Sequence, residues 1–385
     1  MSMTDIDALL ADAVARGAVP NVAAVAADRN GVIYEGAAGP RAVGSDAPLT
    51  TSTHFRIMSM TKMVATAAAL QQMERGTLDL DAPVADYCPE FASLQVLDGF
   101  DGETPRLRAP TSQATVKQLI THTAGLGYWF WNADLVRWEA STKTPNVLSG
   151  SNVIFSAPLV ADPGTRLEYG INTDWLGKVV EAASGMTLDV AVKDGITGPL
   201  GMDETSFAPT GDQRDTLVPV HLKGEDGTWA ASEIELALSP EYYAGGHGLH
   251  STPRDYLQFQ RALLGGGEVG GTRILQEATV EAAFTNQIGD LEFPASIATA
   301  DPASSADFHA GRGEKWGYGL LLNPTDVPGR RKAGSGTWAG LLNTHFWIDR
   351  TTGITGAIYT QSLPFVAPDV YQVYTDFETA LYAAL

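Results

Sequence analysis

Strand-like segments in this chain of 385 residues fall at its two ends and are missing from the long stretch between them. Near the start, Val22-Ala23-Ala24-Val25-Ala26-Ala27 and Gly31-Val32-Ile33-Tyr34-Glu35-Gly36 flank Asp28-Arg29-Asn30-Gly31. Two short apolar runs about an Asn-Gly turn are a strong hairpin signal. Before them, Ile6, Leu9, Leu10 and Val14 recur at helical spacing over the first 20 residues, and Pro20 ends that helix. Near the other end, residues 316–322, 343–348 and 354–360 read as strands separated by turns, and residues 371–385 close the chain as a helix. Residues 59–75 give the clearest helix: Met63, Thr66, Ala67, Leu70 and Met73 share a face, and Gly76 stops it. Residues 79–244 read mainly as helix and loop, with helices at 116–123 and 173–184, and another helix follows at 254–264. This order predicts an α/β (α+β) fold, with one antiparallel sheet built from both termini and flanked by helices. Residues 1–80 and 245–385 would form the sheet domain, and residues 81–244 a mainly helical inserted domain.

Composition narrows the function classes. Hydrophobic residues make up 44% and charged residues 18%, ordinary values for a globular chain. The longest mostly apolar stretch, residues 63–70, is far short of a membrane span. The start, Met1-Ser2-Met3-Thr4-Asp5, lacks the basic and apolar regions of a secretory signal and reads as cytoplasmic. Cys88, the single cysteine, can form no internal disulfide and no thiolate metal site. In Tyr87-Cys88-Pro89, with no histidine nearby in sequence, it reads as a small buried filler. With 25 Lys and Arg against 45 Asp and Glu, the formal net charge is −20. Such a field repels nucleic acid and anionic lipid, so the expected partner is a neutral or cationic small molecule. Neither nucleic acid nor membrane is expected, and a homo-oligomer is compatible with this reading.

The lipase-type Gly-x-Ser-x-Gly elbow is absent, because no serine has a glycine two residues before it. The seven histidines show no metal-ligand spacing, and no P-loop or strand-to-helix Gly-x-Gly-x-x-Gly occurs. No cofactor is expected. Ser59-Met60-Thr61-Lys62 remains. Residues three apart on a helix lie one above the other, which brings Ser59 Oγ and the Lys62 amine within reach. A serine at a helix start has an unsatisfied N–H and a favourable dipole for developing negative charge. A lysine held dry can lose its proton near neutral pH and act as a base. The tetrapeptide alone is common in helices. To act as nucleophile and base it would need a second proton carrier and a backbone N–H for the oxyanion. Tyr169, on the turn of Pro163-Gly164-Thr165-Arg166-Leu167-Glu168-Tyr169-Gly170, can supply the first. Gly334-Ser335-Gly336-Thr337-Trp338-Ala339-Gly340-Leu341, a glycine-rich stretch entering the strand-rich end, can supply the second.

These segments, in this order, resemble the serine β-lactamase and penicillin-binding superfamily. Within it they are most similar to the family VIII carboxylesterases, the esterases akin to class C β-lactamases. Residues 55–62, 76–84, 119–126, 163–169 and 245–252 carry the likeness, which runs from about Asp5 to the C-terminus. The resemblance implies that Ser59 is acylated, that Lys62 takes its proton, and that Tyr169 passes the proton to the leaving alcohol and later activates water. It implies an oxyanion hole from the N–H groups of Ser59 and Leu341, with Trp338, Ala339, Gly340 and Tyr128 against the substrate. The run Tyr128-Trp129-Phe130-Trp131 would wall an acyl pocket. Where β-lactamases carry Lys-Thr-Gly, this chain has Trp338-Ala339-Gly340, which resembles the Trp-Gly-Gly-like element of the esterases. Ile171 stands two after Tyr169 where a Tyr-x-Asn pattern needs asparagine, so no role passes to Asn172. His122 reads as a satisfied structural histidine rather than a base. The expected activity is hydrolysis of short-chain or aryl esters through an acyl-enzyme. The alternatives are an acyltransferase, an amide hydrolase or a weak β-lactamase on the same residues, or a catalytically silent penicillin-recognition module.

Overall fold

The computed structural model of the chain describes residues 3–234, 236, 240–297, 301, 303–304, 307 and 312–385. Helix α1 (Met3–Ala15) leads into β1 (Val22–Asp28) and β2 (Val32–Ala38). The Asp28 carboxylate closes the turn between them by accepting the N–H groups of Asn30 and Gly31 at 2.7 and 2.8 Å, the local side-chain bonding that suits Asp to turns. The helices that follow include α2 (Thr61–Glu74), α3 (Asn172–Ser184) and α4 (Pro253–Leu264). The last stretch supplies β3 (Lys315–Trp316), β4 (Leu321–Leu322), β5 (Gly336–Gly340), β6 (Thr344–Asp349), β7 (Ile354–Tyr359) and the closing helix α5 (Pro368–Ala384). One antiparallel sheet runs β3-β4-β5-β6-β7-β1-β2, so the first strand of the chain pairs with the last of this series, Ala24 opposite Ile358.

Strand β1 shows why its sequence is an unbroken apolar run. Successive strand residues point to opposite faces, and here both faces are covered. Val22, Ala24 and Ala26 pack with Ile6 and Leu10 of α1 and Phe377 and Leu381 of α5. Ala23, Val25 and Ala27 face the larger core that holds Phe259 of α4 and Met63 and Leu70 of α2. Helix α2 is buried on every side from Thr61 to Gln72, not on the single face that the spacing of its larger residues predicts. Ala65, Ala67, Ala68 and Ala69 let neighbouring elements close in all round it.

Three local expectations change, and one, the strand around Trp338, is sharpened. Residues 316–322 are not one strand but the arms of a hairpin, β3 and β4, reversed at Gly319 with φ +75°, a conformation glycine alone adopts freely. The helix expected over 116–123 ends at Ile120, and His122 turns the chain with φ +55°. The glycine-rich stretch around Trp338 is itself a strand, Gly336–Gly340, with Trp338 opposite Phe346. The central region carries strands as well as helices, with Val96–Asp101 paired to Thr104–Arg108 and His221–Lys223 to Trp229–Ala231. These short, polar strands lack the apolar alternation that makes a strand legible. Among the described residues, no helix is long and apolar enough to cross a membrane.

A buried ion pair ties α5 to the approach to β5. Arg331 Nη1 donates to Glu378 Oε2 at 2.8 Å and to Tyr374 Oη at 3.0 Å, and Arg331 N donates to Glu378 Oε1 at 3.2 Å. Both side chains are sealed from solvent. Removing one partner leaves a buried charge uncompensated, which costs about 3–5 kcal/mol. Glu378→Ala is therefore expected to lower unfolding free energy by that amount in a urea titration. A loss below about 1 kcal/mol would mean that the pair is dispensable.

Candidate active site

The approach to Ser59 is held from several directions. Residues Phe55–Arg56 pair antiparallel with His250–Ser251. Gln361 brackets Arg56, its Oε1 accepting from Arg56 N and its Nε2 donating to Arg56 O, each at 3.1 Å. Thr344 Oγ1 of β6 donates to Ile57 O at 3.2 Å. The chain then turns through Met58 at φ +47°, a left-handed value that a side chain tolerates only where its surroundings impose it. A 3-10 turn over Met58–Met60 runs directly into α2. Tyr256 Oη donates to Met60 O at 2.9 Å, and Thr61 Oγ1 accepts the Leu249 N–H at 3.1 Å. Ser59 thus stands at the N-terminal end of a buried helix, where free N–H groups and the dipole favour negative charge.

Lys62, in the first turn of α2, is buried. Its Nζ reaches Ser59 Oγ at 3.2 Å, Tyr128 Oη at 3.0 Å and Gly246 O at 2.7 Å. The amine lies 4.7 Å from the centre of the Tyr169 ring and 5.0 Å from that of Tyr128. Burial pushes its pKa down to about 7, and the opposing effect of the Asp174 charge recovers only part of that shift. A lysine in this state is a base at neutral pH.

Tyr169 is buried just before α3. Its hydroxyl accepts from Trp338 Nε1 at 3.0 Å and lies close to the Ser59 side chain. Burial raises the phenol well above its ordinary range, and Ser59 and Trp338 offset this in part. The hydroxyl therefore stays protonated, able both to donate and to accept. Trp338 projects from β5 and packs on Tyr169 and Trp316 at centroid distances of 4.9 and 4.7 Å.

Strand β5 runs beside the serine turn. A Cβ on Gly340 would lie 2.5 Å from Ile57 O and 3.1 Å from Met58 Cβ, so only glycine lets the two backbones come this close. Leu341 follows immediately and packs on the small apolar cluster of Met58, Val220 and Leu342. Ser59, Lys62, Tyr169, Trp338, Ala339, Gly340 and Leu341, spread over some 280 residues of sequence, are thus gathered about one turn and one strand.

Tyr128 is buried with its hydroxyl against the Lys62 amine, and with Trp129, Trp138 and Ile154 it also lines a cavity. Of that run, Trp131 lies against Tyr169, at 4.8 Å, and Phe293, at 5.6 Å, and Tyr128 is edge-on to Tyr169 at 5.3 Å. His122 is buried, its Nδ1 bonded to Asn172 Nδ2 at 3.0 Å and its ring edge-on to Trp316. Burial and the nearby Lys62 hold its pKa well below the usual histidine range, so it is a neutral packing group. Asn172 spends its amide on His122, Leu126 O and Glu168 O. Cys88 is buried, with its thiol pushed up to about 12 by that burial, which removes it as a nucleophile.

Two contacts around Lys62 went unread in the sequence. Gly246 O is a backbone acceptor, and Asp174 is a buried acid on α3 whose Oδ1 accepts the Gly246 N–H at 3.0 Å. The available signal for Asp174 was an acid on the apolar face of a helix beside Trp175. It looked like an ordinary first-turn carboxylate, favourable to the dipole.

The family model described as Beta-lactamase matches residues 6–381. The chain belongs to the Beta-lactamase family. Its fold is the β-lactamase-like one expected from its motifs, and it is an enzyme of the serine hydrolase kind. A lovastatin esterase from Penicillium rubens is 31% identical over 367 residues, covering 91% of each chain. Monacolin J acid methylbutanoyltransferase from Aspergillus terreus is 30% identical over 389 residues, covering 95% of this chain and 92% of that one. The unliganded structure of simvastatin synthase (LovD) from Aspergillus terreus matches with a TM-score of 0.86 at 28% identity, over 99% of this chain and 98% of that one. Among these relatives of a Beta-lactamase family member, one is named for hydrolysis of an ester and one for acyl transfer.

Proposed function

We propose that this chain is a carboxylesterase of the family VIII type, hydrolysing short-chain or aryl esters through an acyl group on Ser59. The observation that carries the reading is the convergence of two proton carriers on one hydroxyl, with Lys62 Nζ 3.2 Å from Ser59 Oγ and 4.7 Å from the centre of the Tyr169 ring, whose hydroxyl is held by Trp338 Nε1 at 3.0 Å. Ser59 Oγ attacks the ester carbonyl as its proton passes to the neutral Lys62 amine. The N–H groups of Ser59 and Leu341 receive the negative oxygen, a term for which one donor is worth roughly a hundredfold or more. Tyr169, oriented by Trp338, hands a proton to the departing alcohol and takes one from the incoming water. Trp338-Ala339-Gly340 offers no cation for a substrate carboxylate, which favours simple esters over penicillins.

Acyl transfer is the second reading, supported by the methylbutanoyltransferase relative. The two share every step until the acyl-enzyme meets its acceptor. A panel of p-nitrophenyl esters, assayed with and without added alcohols and with nitrocefin as a β-lactam control, separates them. Hydrolysis gives free acid at a rate indifferent to the alcohol, whereas transfer gives a new ester and faster p-nitrophenol release. No turnover of any ester would sink both readings.

The pH dependence follows from Lys62. A base works only when unprotonated, and burial lowers this amine from 10.5 to about 7. Activity is expected to fall as pH drops through about 7 and to level off above it, read as kcat/KM for p-nitrophenyl acetate. A rise still continuing towards pH 10 would mean that the lysine is not shifted and the assignment is wrong.

A further inference from the structure

Lys62 is surrounded by groups that the esterase reading leaves without a task. Asp174, in the first turn of α3, is buried. Its Oδ1 accepts the N–H of Gly246 at 3.0 Å, and the carbonyl of the same glycine accepts from Lys62 Nζ at 2.7 Å. Its Oδ2 accepts from Tyr128 Oη at 3.5 Å, and that oxygen accepts from Lys62 Nζ at 3.0 Å. Gly246 is pressed between the two: a Cβ there would lie 2.5 Å from Asp174 Oδ2 and 2.8 Å from Tyr128 Oη. We propose that Asp174 is a positioning residue, which through Gly246 and Tyr128 aims the lone pair of Lys62 at Ser59 and supplies the negative charge against which the amine takes up a proton.

The hydrogen-bond inventory gives the reason. A neutral amine has two N–H bonds and one lone pair. The Gly246 carbonyl can only accept, so it takes one N–H. Tyr128 turns its own O–H towards Asp174 and accepts the other. The remaining direction, towards Ser59 Oγ, is then the lone pair. When Ser59 attacks, its O–H proton moves to Nζ, the new C–O bond forms, and the carbonyl π electrons pass to oxygen. The resulting ammonium finds an acceptor for each of its three N–H bonds and a carboxylate behind two of them. The other titratable groups facing this cluster carry no charge near neutrality. His247, whose Nδ1 is 3.8 Å from Asp174 Oδ1, is lowered to about 3 by burial and by Lys62. His122 is held well below its usual range, and Tyr128, Tyr169 and Tyr242 are all raised by burial. The acid limb of the rate therefore reports Lys62 and Asp174 alone.

This inference rests on Lys62 being the base. The test is the pH profile of kcat/KM for p-nitrophenyl acetate in wild type, Asp174→Asn and Tyr128→Phe, with thermal melts to establish folding. Asp174→Asn keeps an acceptor for Gly246 but removes the charge. It is expected to lower the plateau at least tenfold and to move the acid limb down by about one pH unit, since the Asp174 charge raises the Lys62 amine and a nearby opposite charge shifts a group by about one to three units. Tyr128→Phe removes an acceptor from the ammonium and a donor from Asp174, so its limb also moves down. It carries the test should Asp174→Asn not fold. A limb that stays in place in both variants, whatever happens to the plateau, makes the cluster merely structural and overturns the proposal. Failure of the underlying reading has its own signature, because Lys62→Ala would then turn over esters at the native rate.

Discussion

Ser59→Ala is expected to remove turnover of p-nitrophenyl acetate, by on the order of 10⁴-fold or more, and with it any covalent labelling by a fluorophosphonate probe. Among the described residues, neither the one thiol nor the neighbouring phenol can take over the attack. Cys88 is buried with its thiol pushed up to about 12, and Tyr169 is a buried, protonated phenol. The substitution deletes one oxygen at a partly exposed position and leaves Met58 and the backbone of the turn intact. The fold should therefore be indifferent to it, with a melting temperature at or near that of wild type. That pairing of a collapsed rate with an unchanged melt makes the result diagnostic. A variant within tenfold of the native rate would dismiss Ser59 as the nucleophile, and with it every role assigned around it.

The second large effect belongs to Lys62. Its replacement by alanine deletes the proposed base, which stands 3.2 Å from Ser59 Oγ, and general-base contributions run to about 10²–10⁴-fold. The loss should lie near the top of that range, because Tyr169, the other proposed proton carrier, is held protonated by its burial. Labelling separates this variant from Ser59→Ala. The serine is still present, so a fluorophosphonate should modify it slowly, and faster as pH is raised. Labelling at the native rate would show that the serine is activated by another group. Stability need not fall with activity, since the amine buried in wild type carries a desolvation penalty that alanine lacks.

How far the site was legible depends on what each residue does. Ser59 and Lys62 are readable because a helix imposes a fixed spacing, and their relation is local. Tyr169 and Trp338 are readable only as motifs in order. Neither sequence position says that the indole N–H reaches the phenol, since that contact joins residues 169 positions apart. Gly246 acts through its carbonyl, which no side-chain pattern reports, and Asp174 resembles many exposed first-turn acids until the fold buries it. Tyr128 is the instructive case: an aromatic run signals burial, and burial is right, but only the fold shows that its hydroxyl meets the Lys62 amine. The sheet shows the same division. Long apolar runs such as β1 and β7 announce themselves, whereas two-residue arms such as β3 and β4 exist only because a neighbouring strand offers them partners.

The bracketing of Arg56 by Gln361 and the bond from Thr344 to Ile57 have a consequence for how this enzyme comes into being. The serine emerges from the ribosome early, but the strands that shape its turn, and the tryptophan that orients its tyrosine, are made almost last. A growing chain thus carries an ordinary alcohol for most of its synthesis. The turn around Ser59 takes its shape only when the two ends have met, so a chain cut short before β6 is expected to show no fluorophosphonate labelling of that serine.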